Sequence, residues 1–198
     1  MSQQDAIQIL RRMFAEGIEM TSPQATSWLR RNLKNIGPIN PASIIKTSGT
    51  ESSIVRFKPG SIYLFGYTPK TKEVLPYYDL FPMVLILDYA ENGFIGLNFH
   101  YLNHMDRQIF FNTLVKYLND EDFDENPKAY FDLAYATLKA TKDLKYYKPT
   151  IKRYYYKNIV TKVTEVPPLY WKFMLFLPLE RFKKEVKENV WKESKRKI

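Results

Sequence analysis

The chain has 198 residues, 45 % of them hydrophobic, enough for one well-formed core or a core with a terminal extension. It has no cysteine, which excludes disulfides, thiolate metal sites and cysteine nucleophiles and makes a reducing cytoplasm the expected setting. Net charge is +9 but uneven: residues 1–138 hold 13 Lys and Arg against 15 Asp and Glu, whereas residues 139–198 hold 17 against 6. Such an excess suits a polyanion or an acidic protein surface, and equally a solvated face kept for solubility. Fifteen Tyr and 13 Phe are many for this length. Tyrosine in such numbers suits half-buried contact positions, although an AT-rich genome would raise Tyr, Phe, Ile, Asn and Lys together.

From the N-terminus, Met1–Leu10 shows no basic segment followed by an apolar one, so no secretory signal is expected. Ile7, Leu10, Phe14 and Ile18 recur at helical spacing and predict a helix over Asp5–Met20. Ser22 is a good N-cap and Pro23 suits the first helical position, predicting a second helix to about Asn35, stopped by Gly37-Pro38. Residues Asn40–Ser53 are rich in Ser, Thr and Ile without a period and are expected to be a loop or extended linker. The helical pair before it could pack on a neighbour rather than on the chain's own core.

Between Arg56 and Tyr101 the pattern turns to strands. Ser61–Tyr67 follows the Pro59-Gly60 turn, Phe81–Asp88 is an unbroken apolar run, and Phe94–Tyr101 returns after Glu91-Asn92-Gly93. Asn-Gly is expected to supply the positive φ of a hairpin turn. Val84, Ile86, Phe94 and Leu97 are expected core residues. Three such strands cannot hide both faces alone, so more strands or covering helices are required. Helices are expected from Asn103 or Asp106 to about Leu118, with Ile109, Phe110, Leu114 and Leu118 inward, and over Pro127–Thr141. Thr161–Val166 is a strand candidate; Pro167-Pro168 opens a short helix to Met174, and a last helix runs over about Glu180–Ser194. The expected fold is α+β: a small curved antiparallel sheet or SH3-like barrel flanked by helices, with an N-terminal helical pair. Residues 1–53 form the extension and 54–198 the core with its basic C-terminal third. No apolar run, including Phe81–Leu87 and Leu169–Leu179, is long enough to span a bilayer.

No catalytic pattern is visible, and no catalytic residue, cofactor or metal is expected. His100 and His104 lack the Glu of an H-E-x-x-H helix, so a strand-end histidine making a structural hydrogen bond is the better expectation. The acidic run Asp120–Glu125 lacks the spacing and glycine of a calcium loop. Asp79 and Asp88 bracket an apolar strand without the rest of a nuclease metal site. The strongest positive signal is the basic and aromatic stretch 146–157. Its Lys148, Lys152, Arg153 and Lys157 could neutralise phosphates while Tyr154 stacks on bases. The same pattern is also what a strand with core tyrosines and wet lysines would show.

The segments Pro59–Lys70, Leu75–Pro82 and Gly93–Leu102, with Lys148–Tyr154 and Phe176–Phe182, resemble a virion protein family of T-even-like contractile-tailed bacteriophages. The resemblance spans about residues 56–198 and implies a particle component, assembled in the host cytoplasm, with no catalytic residues. Two functions follow from it: a structural protein of neck, tail or baseplate with other virion proteins as partners, or a protector of double-stranded DNA ends. Within these segments, two prolines around Tyr77-Tyr78-Asp79 make a stiff turn that presents aromatics at a fixed position.

Overall fold

The computed structural model describes residues 11–19, 22–33, 39–51, 55–116 and 148–196. The expected helix over Pro127–Thr141, the acidic turn Asp120–Glu125 and Leu118 lie outside them, as does the side chain of Leu114. Among the described residues the architecture is α+β. Its strands are β1 (Ile62–Tyr67), β2 (Tyr78–Asp79), β3 (Met83–Ala90), β4 (Gly93–Asn98), β5 (Ile151–Tyr155), β6 (Ile159–Val166) and β7 (Phe182–Lys183). Five of them form one sheet in the order β5-β4-β3-β1-β6, with every neighbouring pair antiparallel. The other two, β2 and β7, pair as a short ribbon.

β5 and β6 lie at opposite edges of the sheet, yet only the 3-10 turn Tyr156–Asn158 separates them in sequence. The sheet must therefore curl until its edges approach. They do: the Tyr155 N–H donates to the Tyr67 hydroxyl at 3.1 Å, and the Thr68 N–H to the Asn158 carbonyl at 3.0 Å. β5 and β6 do not pair with each other, so the result is the curved open sheet and not a closed barrel.

Both sheet faces are buried, which explains the unbroken apolar runs of β1 and β3. Ile62, Leu64, Met83, Leu85 and Leu97 point into a large core shared with the helices. Tyr63, Phe65, Tyr67, Val84, Ile86, Phe94 and Tyr154 fill the concave side, closed by Phe57. The expected core residues Val84, Ile86, Phe94 and Leu97 are all fully buried. At the β3–β4 hairpin, Asn92 carries the positive φ of 57°, while Gly93 already pairs as the first residue of β4. Gly93 is needed for a different reason than its turn: a Cβ there would sit 1.8 Å from the Tyr154 carbonyl oxygen of β5.

Helices cover the convex face. α1 (Pro23–Leu33) is capped by Ser22, whose hydroxyl accepts from the Ala25 N–H at 3.2 Å, and buries Ala25, Trp28 and Leu29. Met13, in the N-terminal segment, joins the same core, so this part of the chain packs on its own sheet. The expected linker contains α2 (Pro41–Ser48) instead: Asn40 accepts from the Ala42 N–H and Pro41 opens the helix, a cap signature hidden by a loop-like composition. Thr50 then bridges to Val163 and covers part of the β6 edge. α3 (His104–Lys116) begins where Asn103 accepts from the Asp106 N–H, but Phe110 and Phe111 face inward while Ile109 is 53 % exposed. α4 (Trp171–Phe176) follows the proline pair as expected. The last helix, α5 (Lys187–Arg196), starts later than its sequence suggests because Glu180 is held in the core and Phe182–Lys183 is used as β7.

Candidate nucleic-acid interface

β5 is the basic-aromatic stretch in its folded form. Lys148 lies in the 3-10 turn before it, and Lys157 is exposed on the turn after it. Strand alternation puts Lys152 and Tyr154 on one side and Arg153 and Tyr155 on the other. Tyr154 is 4 % exposed, with its ring stacked on Phe94 at 5.4 Å. Burial pushes its hydroxyl pKa well up. Tyr154 therefore belongs to the concave core and is not free to stack on a base. Lys152, Arg153, Tyr155 and Lys157 remain at the surface or near it.

Between β5 and the loop 68–77 lies a cleft of about 570 Å³. One wall is β5; the other is the Pro76-Tyr77-Tyr78 turn. Cations are mounted on tyrosines along it. The Lys152 ammonium sits 4.5 Å over the Tyr101 ring, and the Arg153 guanidinium 5.0 Å over Tyr155. Arg153 also donates to the Glu91 carbonyl at 3.0 Å, and exposed Lys70 adds a third cation from the loop.

The loop wall is braced before any ligand arrives. Tyr77 meets Phe182 edge-on at 6.2 Å and the Tyr101 ring at 6.0 Å. Burial, followed by Glu193, raises its pKa. The Lys184 ammonium donates to the carbonyls of Lys72, Glu73 and Leu75 at 2.8, 2.9 and 3.0 Å, which ties the loop to the β7 end. Asn158 Nδ2 donates to the Thr68 carbonyl at 2.7 Å, which ties the loop's start to the turn that carries Lys157.

The floor is polar and closed. Asp79 accepts from Asn98 Nδ2 at 3.1 Å and from the Phe81 N–H at 3.1 Å, and its Oδ2 lies 2.7 Å from His100 Nδ1. His100 is a structural, strand-end histidine: its ring is fully buried and its carbonyl accepts from Trp191 Nε1 at 2.8 Å. Among the described residues no group of three or more His, Asp or Glu is placed to hold a metal ion.

The prolines mark Tyr77-Tyr78-Asp79 as a stiff turn, but the structure runs the segment into β2, where Tyr78 and Asp79 pair with Lys183 and Phe182. That Lys70, Asp79, Asn98 and Tyr101 share one cleft has no signal in the sequence, since only the curl of the sheet brings them together with residues 152–155.

Fold and cleft together define a small α+β protein whose curved sheet offers a cationic, tyrosine-walled cleft at one edge. The chain belongs to the family of the phage T4 terminal DNA protecting protein, whose model matches residues 39–196. No curated protein and no solved structure matches. Of the two functions expected from the sequence, the family supports the second, DNA-end protection, and lends nothing to a place in neck, tail or baseplate. Among the described residues no helix is long and apolar enough to cross a membrane.

Proposed function

We propose that this protein binds the termini of linear double-stranded phage DNA within the particle and shields them from exonucleases, acting by occupancy and not by catalysis. The observation that carries the reading is the family match over residues 39–196, which includes both walls of the cleft. The chemistry agrees with it. Lys70, Lys152 and Arg153 at the cleft and Lys157 on the adjoining turn can neutralise phosphates. None of them is arranged as a base-reading recognition helix, so affinity comes from the backbone and sequence preference is weak.

The test is digestion of linear DNA by an end-requiring exonuclease, with and without the purified full chain, and with circular DNA as competitor. Protection is expected, with the circle a poor competitor. Replacing Lys148, Lys152, Arg153 and Lys157 together by Ala should weaken binding about equally across sequences and flatten the salt slope by up to about 0.9 for each phosphate no longer neutralised. Equal affinity for circles and linear DNA would overturn the reading. So would cleavage of the DNA in Mg²⁺ that disappears on Asp79→Ala or His100→Ala.

A further inference from the structure

We infer that the cleft takes a single unpaired nucleotide at the DNA terminus, with its base stacked on Tyr77 and its phosphate at the rim among Lys70, Lys152 and Arg153. The inference rests on the proposed end-binding function and states how an end is told from the rest of the duplex.

Size comes first. A cleft of about 570 Å³ is of small-molecule dimensions, whereas a paired duplex keeps its bases inward and cannot lay one against its wall. A base reaches the wall only after leaving its stack. At a terminus the last base pair has a stacking neighbour on one side only, so it opens more easily than any internal pair. Selection for ends then needs no sequence readout.

Charge fixes the orientation. The rim carries Lys70, Lys152 and Arg153, while the floor carries the Asp79 carboxylate, already satisfied by Asn98, His100 and a backbone N–H. A phosphate is repelled from that floor and drawn to the rim, so a nucleotide enters base first. The walls fix the stacking partner. Tyr101 and Tyr155 have cations over their rings and serve as mounts for phosphate-binding groups. Tyr77 is held edge-on by Phe182 and flanked by the Tyr101 ring at 6.0 Å, so its ring is oriented before the base arrives and stacking freezes little further motion.

The experiment uses the full chain and a short duplex with 2-aminopurine at the terminal position of either strand, at an internal position, or in a dumbbell closed by loops at both ends. Binding to open duplexes should change the fluorescence of terminal 2-aminopurine on one strand and leave the internal probe unmoved. A one- or two-nucleotide unpaired overhang should tighten binding over a blunt end. Tyr77→Leu should lose that advantage, with affinity for the overhang falling roughly ten-fold, the scale of one lost base–aromatic stack. Tyr77→Phe, which keeps the ring and loses only the hydroxyl, should keep most of it. Both variants should melt close to the parent, since Tyr77 is only half-buried on a loop. If the chain prefers open ends to the dumbbell but the terminal probe is silent and Tyr77→Leu binds like the parent, the captured nucleotide is wrong and end binding stands. If open duplex and dumbbell bind alike, both fall.

Discussion

The two sides of the sheet are made of different material. The convex side is largely aliphatic, covered by α1, α2, α3 and α4, and crossed by the buried ion pair of Arg107 with Glu180. The concave side is a tight aromatic cluster in which Phe57, Phe65, Phe94 and Tyr154 meet at 4.6–6.1 Å, with tyrosine hydroxyls at its margin. Helices can be laid over a flat or convex surface, but nothing of that size fits inside a curl, so the concave side must be filled by side chains from the strands themselves. Aromatic rings fill it, and the same rings become the inner wall of the cleft. Stability is therefore shared by both sides, whereas the proposed DNA site is attached to the concave edge.

The harshest way to break the concave side is Val84→Asp. Val84 is fully buried, and an unpaired carboxylate there costs several kcal/mol, enough to unfold a marginal domain. Loss of cooperative melting is the expected result, and a normal melting curve would refute the burial of that face.

On the convex side the comparable test is Arg107→Met. The Arg107 side chain is 1 % exposed, donates from Nε to the Phe99 and Leu102 carbonyls at 2.8 Å, and pairs with Glu180. Removing it leaves Glu180 buried with only Lys187, 3.9 Å away, at a cost of about 3–5 kcal/mol at neutral pH. The pH dependence gives a second readout. Burial pushes the Glu180 carboxyl up, but Arg107 foremost outweighs it and holds the pKa at about 2 against an ordinary 4.5. The stabilisation is complete above pH 4.5 and is lost as pH falls towards 2. His104 is depressed from 6.5 to about 4 by burial and by Arg107, so its neutral form is favoured and stability also declines as pH falls from 6.5 to 4. In Arg107→Met the glutamate can protonate and stay buried, so the penalty measured by denaturant titration should shrink between about pH 7 and about pH 3. A penalty independent of pH would show that the ion pair contributes only packing.

A smaller change sharpens the comparison by adding one carbon. Gly96 in β4 lies opposite Ile86 on the concave side, and a Cβ there would stand 2.2 Å from Val84 Cγ1 and 3.0 Å from the Leu85 carbonyl oxygen. Gly96→Ala should cost about 1–3 kcal/mol as overpacking. Val84→Ala in the same chain should recover part of that cost, so the two substitutions are non-additive when their melting shifts are compared. Strict additivity would mean that the clash is relieved elsewhere.

How far the sequence discloses this arrangement depends on the distance over which each feature is encoded. β1, β3 and β4 are legible because apolar runs and the Asn92 turn are local signals, whereas the register shift between Ile86 and Asp88 has no such signal. α2 is missed because Ser and Thr look like loop while the informative pair is Asn40-Pro41. Ile109 is placed inward in error because adjacent Phe110 and Phe111 are both buried, and a three-to-four spacing fits either phase. Arg107 gives no warning at all. In sequence it is one more charge on a helix, and only three backbone carbonyls and Glu180, 73 residues away, make it a core residue. The cleft divides the same way. The Tyr77-Tyr78 wall shows in its prolines, whereas the partnership of that wall with β5 is a product of sheet curvature, which no short window of sequence contains.

The gentlest test addresses that curvature. The Tyr67 hydroxyl, on β1, accepts the Tyr155 N–H at the end of β5, so one oxygen joins two strands that are not neighbours in the sheet. Burial raises the Tyr67 pKa, and its ring meets Tyr154 edge-on at 4.9 Å. Tyr67→Phe keeps the ring packing and deletes only the acceptor. The N–H of Tyr155 lies at the cleft, where water can replace the missing partner, so the cost should be about 1 kcal/mol, the net worth of an ordinary hydrogen bond. Amide hydrogen exchange is the appropriate measurement, because a global melting shift that small says little about where the structure loosened. Exchange should accelerate at Tyr155 and its β5 neighbours while β3 and β4 amides keep their protection. DNA-end affinity should weaken in step, since the β5 wall carrying Lys152 and Arg153 would sample wider openings. Uniform acceleration throughout the sheet would instead make Tyr67 a general core residue, and the two edges would be held together by backbone geometry alone.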